Sequence, residues 1–420
     1  MNILVITKAA WDDCIASGNT LSNFFNGWKD VNFFCLYSRE AMPNNNVCSE
    51  YYSISPISIV RNLFRPSKIG KRFRYDSNFG NGQSPSKEVK IISTAKRNRT
   101  VFEFVYNLAY TTDLWKNKSF KKFIAECNPD LVFCFGSYDP LNHKALKYIK
   151  SHTNAKIISY YVDDLFRHNV PSFYFVRKSK NKRLLEIASM SDKCYAISQR
   201  MCDEYCELYG KLFHLLYKGC DISEPKKNVN TPVRFVYAGN LFYHRDKILG
   251  ALAKAIAKVN DDTQKARLDI FSGTPVNEEV LSILNIEGAS TLHNARPFEE
   301  IKQIMKDADI VLHVESFDEE QMKIVRLSFS TKITDCMQSG SMMMVIGPDS
   351  VASIDYATRI PGCVVVSNLT TLEETVRELV ENHSTIINRA SKTNGFAKEK
   401  VEINQLRNRL KSEFELLLKC

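Results

Sequence analysis

Two rounds of one rhythm, parted by a polar stretch, set the narrowest limit on what this chain can become. In the first round the short apolar runs Asn2–Thr7, Val31–Tyr37, Leu131–Phe135, Lys156–Val162, Lys193–Ile197 and Phe213–Tyr217 predict buried strands, each ended by turn or polar residues. Helical patterns stand between several of them, as at Leu141–Lys150 and Gln199–Tyr209. Such alternation predicts a parallel sheet covered on both faces. The run Ser223–Pro232, polar and proline-bearing, has the composition of a linker. Beyond it strands return at Arg234–Ala238, Arg267–Phe271, Asp309–Val314, Ser341–Ile346 and Cys363–Val366. Helices follow near Ile248–Val259, Phe298–Asp307 and Leu372–Asn382, and Lys398–Lys419 closes the chain as one amphipathic helix.

The fold expected is α/β, with two Rossmann-like, doubly wound domains facing each other across a cleft. The first spans 1–224, with an insertion over 40–100 that breaks the rhythm and is expected to hold mobile loops. A linker at 225–232 leads to a second domain at 233–395, and a helix over 396–420 is expected to pack back on the first. Ligands in open α/β sheets bind at the C-terminal ends of the strands, so the chemistry is sought there.

Composition supports this picture and excludes others. At 420 residues the chain is too long for one ordinary core, and 44% apolar residues provide for two. No apolar run approaches the roughly 20 residues that span a bilayer. Met1–Thr7 lacks a basic region and a cleavage site, so it is taken as a first strand rather than a signal peptide. A cytoplasmic protein is expected. Its 12 cysteines form no C-x-x-C pair and fit buried thiols in a reducing compartment. Cys202 and Cys206 lie one helical turn apart without a second pair, so no metal site is assigned to them.

The net charge is +10, and part of the surplus is clustered: Arg61, Arg65, Lys68, Lys71, Arg72 and Arg74, then Lys87, Lys90, Lys96, Arg97 and Arg99. Interleaved with Leu63, Phe64, Ile69 and Phe73, this segment fits either an anionic membrane face or a solvated basic loop. No nucleic-acid motif accompanies the charge, and no such partner is expected.

Four segments at strand ends carry candidate chemistry. The first is Gly239-Asn240, with Arg245 beyond it; glycine allows close backbone approach, and arginine suits a diphosphate, although an ordinary turn explains the glycine better. The second is His313-Val314-Glu315, where the carboxylate suits sugar hydroxyls or a developing cation, and the histidine suits the core. The third is Ser330-Thr331-Lys332-Ile333-Thr334-Asp335, ending at Gly340. Ser330 or Thr331 would cap a short helix, and its N-terminal amides with Lys332 would make an anion site. A capped surface helix accounts for the serine and the glycine but not for a lysine opposing the dipole. The fourth is Asp163-Asp164, read as acceptor-orienting, as a helix cap, or less readily as a metal pair.

The third segment makes a resemblance specific. It is similar to the donor-binding region of GT-B glycosyltransferases of the group-one, retaining kind that serve bacterial capsule and O-antigen synthesis. Glu315 matches the family's strand-end acid, Asp335 before Gly340 its nucleotide-binding acid, and Ser330-Thr331-Lys332-Ile333 a subgroup pattern. Gly239 to Arg245 matches the diphosphate-contacting pair, and Ser198–Asp221 resembles the end of the family's first domain. Here nineteen residues separate the two acids, with Asp318–Leu327 expected as a flexible cover. The family's first-strand glycine pair appears as Gly18-Asn19-Thr20.

The resemblance implies a nucleoside-diphosphate sugar donor and a saccharide or lipid-linked saccharide acceptor. It implies Glu315, Lys332 and Arg245 as catalytic, and Gly239, Asn240, Ser330, Thr331, Asp335 and Gly340 at the donor. Gly18, Asn19, Asp163 and Asp164 would then stand on the acceptor side. Metal and cofactor are not expected. A nucleotide-sugar epimerase on the same fold, or a non-catalytic sugar-nucleotide-binding module, remains the alternative.

Overall fold

A computed structural model of the protein describes residues 1–39, 41–75, 106–166 and 174–419. The basic positions Lys87, Lys90, Lys96, Arg97 and Arg99 lie outside the described residues. The chain divides into two compact units: one of Met1–Ile197, Met201–Tyr217 and Arg407–Cys420, the other of Ser198–Arg200 and Lys218–Leu406.

The first unit holds β1 (Asn2–Thr7), β2 (Asn32–Tyr37), β3 (Cys48–Ser53), β4 (Lys71–Phe73), β5 (Leu131–Phe135), β6 (Lys156–Tyr161), β7 (Lys193–Ala196) and β8 (Phe213–Leu215). They make one sheet in the order β4-β3-β2-β1-β5-β6-β7-β8, parallel except for the antiparallel edge strand β4. The second unit holds β9 (Val233–Ala238), β10 (Ala266–Ser272), β11 (Ser290–Asn294), β12 (Ile310–Val314), β13 (Met342–Ile346) and β14 (Val364–Val366). Their order, β11-β10-β9-β12-β13-β14, is wholly parallel. Both sheets reverse winding direction beside their first strand, between β1 and β5 and between β9 and β12. That is the Rossmann arrangement, and it opens a crevice at each reversal.

Burial explains why these runs form strands. Every residue of β12 and β13 is buried, as expected of central parallel strands covered on both faces. The first unit fills its core with aromatics: Phe25 meets Phe133 at 5.1 Å, and Phe414 of the last helix lies 6.1 Å from Phe25 and 5.5 Å from Trp28. Glu413 on that helix receives hydrogen bonds from Lys193 at 2.7 Å and Tyr195 at 2.5 Å, which explains why residues from Arg407 onward belong to the first unit.

Three expectations are corrected. The insertion over 40–100 is not simply loop, since β3, β4 and the helix Pro56–Arg61 lie within it. The closing helix is two, His383–Lys400 and Ile403–Lys419. Between them the backbone of Cys220 takes the peptide groups that a continuous helix would need, receiving from the Ile403 amide at 3.2 Å and donating to the Val401 carbonyl at 2.8 Å. Residues 318–327 are not a structureless cover: Glu319–Val325 is helical, and the Asp318 side chain accepts from the Gln321 amide at 3.1 Å. No helix among the described residues is long and apolar enough to cross a membrane.

Candidate functional site

The crevice of the second sheet contains a pocket of about 430 Å³, lined by residues that include Gly239, Asn240, Phe271, Thr331, Lys332 and Asp335. Gly239 and Asn240 follow β9. Lys332 and Asp335 come from the first turn of the helix Lys332–Ser339, whose N-terminus meets the strand ends. A Cβ built on Gly239 would stand 1.8 Å from Lys332 Cε. Any side chain at 239 would therefore displace the end of the lysine that crosses it.

Lys332 forms no hydrogen bond or ion pair among the described residues. Burial pulls its ammonium below the usual lysine range, and the nearby Arg245 charge adds to this; Glu315 and Asp335 oppose. The Asp335 carboxyl is raised by burial, with Lys218 and Lys332 partly offsetting it. The Lys332 ammonium and the Asp335 carboxyl thus sit at the wall of one pocket without forming an ion pair with each other.

Arg245 and Glu315 are placed differently from the expectation that they face a diphosphate and a sugar. They face one another. Arg245 Nη2 donates to both Glu315 oxygens at 2.8 and 3.0 Å, Nε reaches Oε2 and the Val314 carbonyl at 3.2 Å each, and Nη1 reaches Asn240 Oδ1 at 2.7 Å. With 6% and 2% exposure they are almost removed from water, and a buried carboxylate requires such a partner. Burial alone would raise Glu315; the His313 hydrogen bond and the guanidinium outweigh it and hold the carboxyl at about 2. His313, fully buried, is pushed down by desolvation, and its Nε2 lies 3.3 Å from a Glu315 oxygen and 3.2 Å from the Ser353 hydroxyl. Just before Arg245, Tyr243 and His244 both hold positive φ, 61° and 57°, a costly conformation for such side chains.

The remaining donor-side candidates separate. Thr331 lines the pocket, but neither it nor Ser330 caps the helix through its side chain; Thr331 is itself helical in φ and ψ and so is not shaped as a cap. Gly340 ends the helix at φ 77°, where a Cβ would stand 2.2 Å from the Glu224 carbonyl. Its role is to let the chain turn, and it does not line the pocket. Reasoning from sequence missed Phe271, Arg296 and Lys302, which do. Arg296 follows β11, a strand too polar to stand out in the sequence, so nothing local marks the loop beyond it as a strand end.

The acceptor-side candidates lie in the first unit. Gly18 is buried in the helix Ala16–Phe25, where a Cβ would stand 2.0 Å from the Asp12 carbonyl, and Asn19 is its neighbour. Beyond β6, Asp163 is exposed and Asp164 is buried, accepting from the Tyr205 hydroxyl at 3.2 Å. Among the described residues no group of three or more His, Cys, Asp or Glu side chains is placed to hold a metal.

No protein-family model and no curated protein matches the chain. Solved structures do. HepE from Anabaena, in complex with UDP, matches with a TM-score of 0.62 at 12% identity, covering 99% of this chain and 100% of that one. Sucrose-phosphate synthase from Thermosynechococcus elongatus matches at 0.60 and 10% identity, covering 100% of each chain. The α,α-trehalose 6-phosphate synthase from Burkholderia multivorans matches at 0.58 and 9%, over 99% of this chain and 98% of that one. At such identities the likeness shows the fold: two Rossmann-like domains of the GT-B kind.

Proposed function

We propose that the protein is a glycosyltransferase that moves a sugar from a nucleoside-diphosphate sugar to a saccharide or lipid-linked saccharide acceptor. In this reading transfer retains the anomeric configuration, needs no metal ion, and serves the building of a bacterial surface polysaccharide such as capsule or O-antigen. One observation carries it: Lys332, an ammonium with no hydrogen-bond or ion-pair partner among the described residues, stands in a pocket at the reversal of a Rossmann sheet, beside a helix N-terminus. The complexes of HepE with UDP and with UDP-glucose support the ligand class.

The donor diphosphate would lie over Gly239 and the start of the helix, with Thr331 and Lys332 as its partners and Asn240 and Ser330 at the margin. The ammonium stabilises charge on the departing phosphate, work that a divalent ion would otherwise do. Asp335 is the acceptor for ribose hydroxyls. The acceptor hydroxyl attacks on the face the diphosphate leaves, and the leaving phosphate takes its proton. Arg245 and Glu315 act through their neighbours: the ion pair fixes Asn240 and sets the field in which Lys332 sits. The domain ending near 224 would bind the acceptor, with Gly18, Asn19, Asp163 and Asp164 on its side, and the domain from 233 the donor.

A cytoplasmic location at the inner membrane face belongs to the same reading. Val60, Leu63 and Phe64 are 49%, 40% and 98% exposed beside Arg61 and Arg65, a basic and apolar surface suited to anionic lipid. The decisive experiment is product analysis with UDP-sugars and an oligosaccharide or lipid-linked acceptor, with and without EDTA. Product that forms equally in both supports the proposal; turnover of donor alone into an epimer would replace it. Flotation with phosphatidylglycerol vesicles tests the membrane contact, and no flotation at low salt would remove it.

A further inference from the structure

The first unit has a second cavity, of about 470 Å³, at the C-terminal edge of β3. Three cations from different segments converge on it. Arg61 ends the helix Pro56–Arg61, Lys68 lies in the turn after it, and Lys71 stands on β4 directly opposite Ser53 of β3. Ser53, Ser58 and Asn62 add polar groups to the wall, and no carboxylate occurs among the described residues that line it.

The neighbouring charges are arranged otherwise. Arg72 is clasped by Glu50 and Glu126, and Arg74 reaches Glu50 at 3.2 Å. These two arginines are balanced within the fold. Arg61, Lys68 and Lys71 form no ion pair or side-chain hydrogen bond among the described residues; the Lys71 ammonium has only the Phe73 ring, 5.7 Å away. The turn that brings Lys71 round needs Gly70 at φ 86°, where a Cβ would stand 2.6 Å from the Tyr52 hydroxyl. Three like charges held round one hollow repel, and an anion in the hollow relieves this. Hydroxyl and amide groups beside lysine and arginine are the set that takes phosphate oxygens.

We infer that this cavity binds a phosphate or diphosphate group, carried by the acceptor. The inference rests on the glycosyltransferase reading for the word acceptor alone. β3 lies two strands from β1, about 10 Å at the usual strand spacing, so a phosphate held here leaves room for a sugar reaching toward the reversal at β1 and β5.

The test is calorimetric titration of the full-length protein with inorganic pyrophosphate at low salt, in a Lys332→Ala background that disables the pocket of the second unit. Binding is expected, and it should weaken about tenfold or more in R61Q/K68Q/K71Q, whose exposed substitutions leave the core untouched. Equal binding by the triple variant, or none at millimolar pyrophosphate, would overturn the assignment whatever the enzyme assays show. Competition separates the sources: displacement by glucose 6-phosphate supports a soluble phosphosugar, and displacement by farnesyl diphosphate in detergent supports a lipid-linked one. Displacement by neither would leave a non-specific charge effect and end the proposal.

Discussion

The two sheets reverse at equivalent places, yet they treat charge there in opposite ways. After β5 in the first unit, Asp139 is buried and wholly committed: its carboxylate accepts from the Leu141 and Asn142 amides at 2.9 and 3.2 Å, capping a helix, and from the Tyr106 hydroxyl. After β9 and β12 in the second unit, one ion pair is likewise satisfied inside, but Lys332 is held beside it with no hydrogen-bond or ion-pair partner among the described residues. The same topology therefore gives an internally satisfied carboxylate in one case and an open electrostatic demand in the other. Function follows the group that the fold leaves unpaired rather than the strand order.

The comparison breaks most visibly if the satisfied pair of the second unit is disturbed. Arg245→Leu leaves a buried carboxylate without its guanidinium and should cost about 3–5 kcal/mol in denaturant unfolding. Arg245→Leu with Glu315→Leu should recover a large part of that, since neither charge is then stranded. Lys332→Ala should do the reverse: little change in unfolding, but a fall in turnover of about 10²–10³, as when one preorganised donor to developing charge is removed. Unchanged turnover would take the lysine out of the mechanism.

Why the pairing was hidden while the sheets were legible has a physical answer. Leu131–Phe135 and Met342–Ile346 are continuous apolar runs because both their faces are covered, and that pattern is local. Ser290–Asn294 is an edge strand with polar residues, and Cys48–Ser53 follows a stretch rich in asparagine, so neither shows such a run. The helix Glu319–Val325 did carry a signal, Asp318 three residues before Gln321, a capping pair obscured by the surrounding charges. The candidate site was legible where one segment carries it, as at Thr331, Lys332 and Asp335. It was not legible where Arg245 chooses its partner seventy residues along the chain, because a guanidinium accepts a ligand phosphate and a protein carboxylate with the same fork.

Acid sharpens the same contrast. Glu315 is depressed from 4.5 to about 2, so its ionised form stabilises the fold above its unfolded value, and that contribution is lost as pH falls toward 2. The shift corresponds to about 3 kcal/mol. Unfolding free energy should therefore drop between about pH 5 and pH 2 in the wild type, and the drop should be smaller in Arg245→Leu/Glu315→Leu. Equal slopes would mean that other carboxylates govern acid unfolding.

The smallest effect is expected in the first unit, after β6. Asp164 is buried on the Tyr205 hydroxyl, whereas Asp163 beside it is exposed. A carboxylate occupied by a protein hydroxyl has less to offer an acceptor, so Asp164→Asn should cost about 0.5–1.5 kcal/mol of stability with the acceptor KM nearly unmoved. Asp163→Asn should leave stability within about 0.5 kcal/mol, and any rise in acceptor KM should appear there. The opposite result, an acceptor KM raised by Asp164→Asn at full stability, would mean that the hydroxyl of Tyr205 yields its place to substrate. The first sheet would then keep a carboxylate in reserve as well as the cations beyond β3, and the contrast between the two reversals would become one of degree.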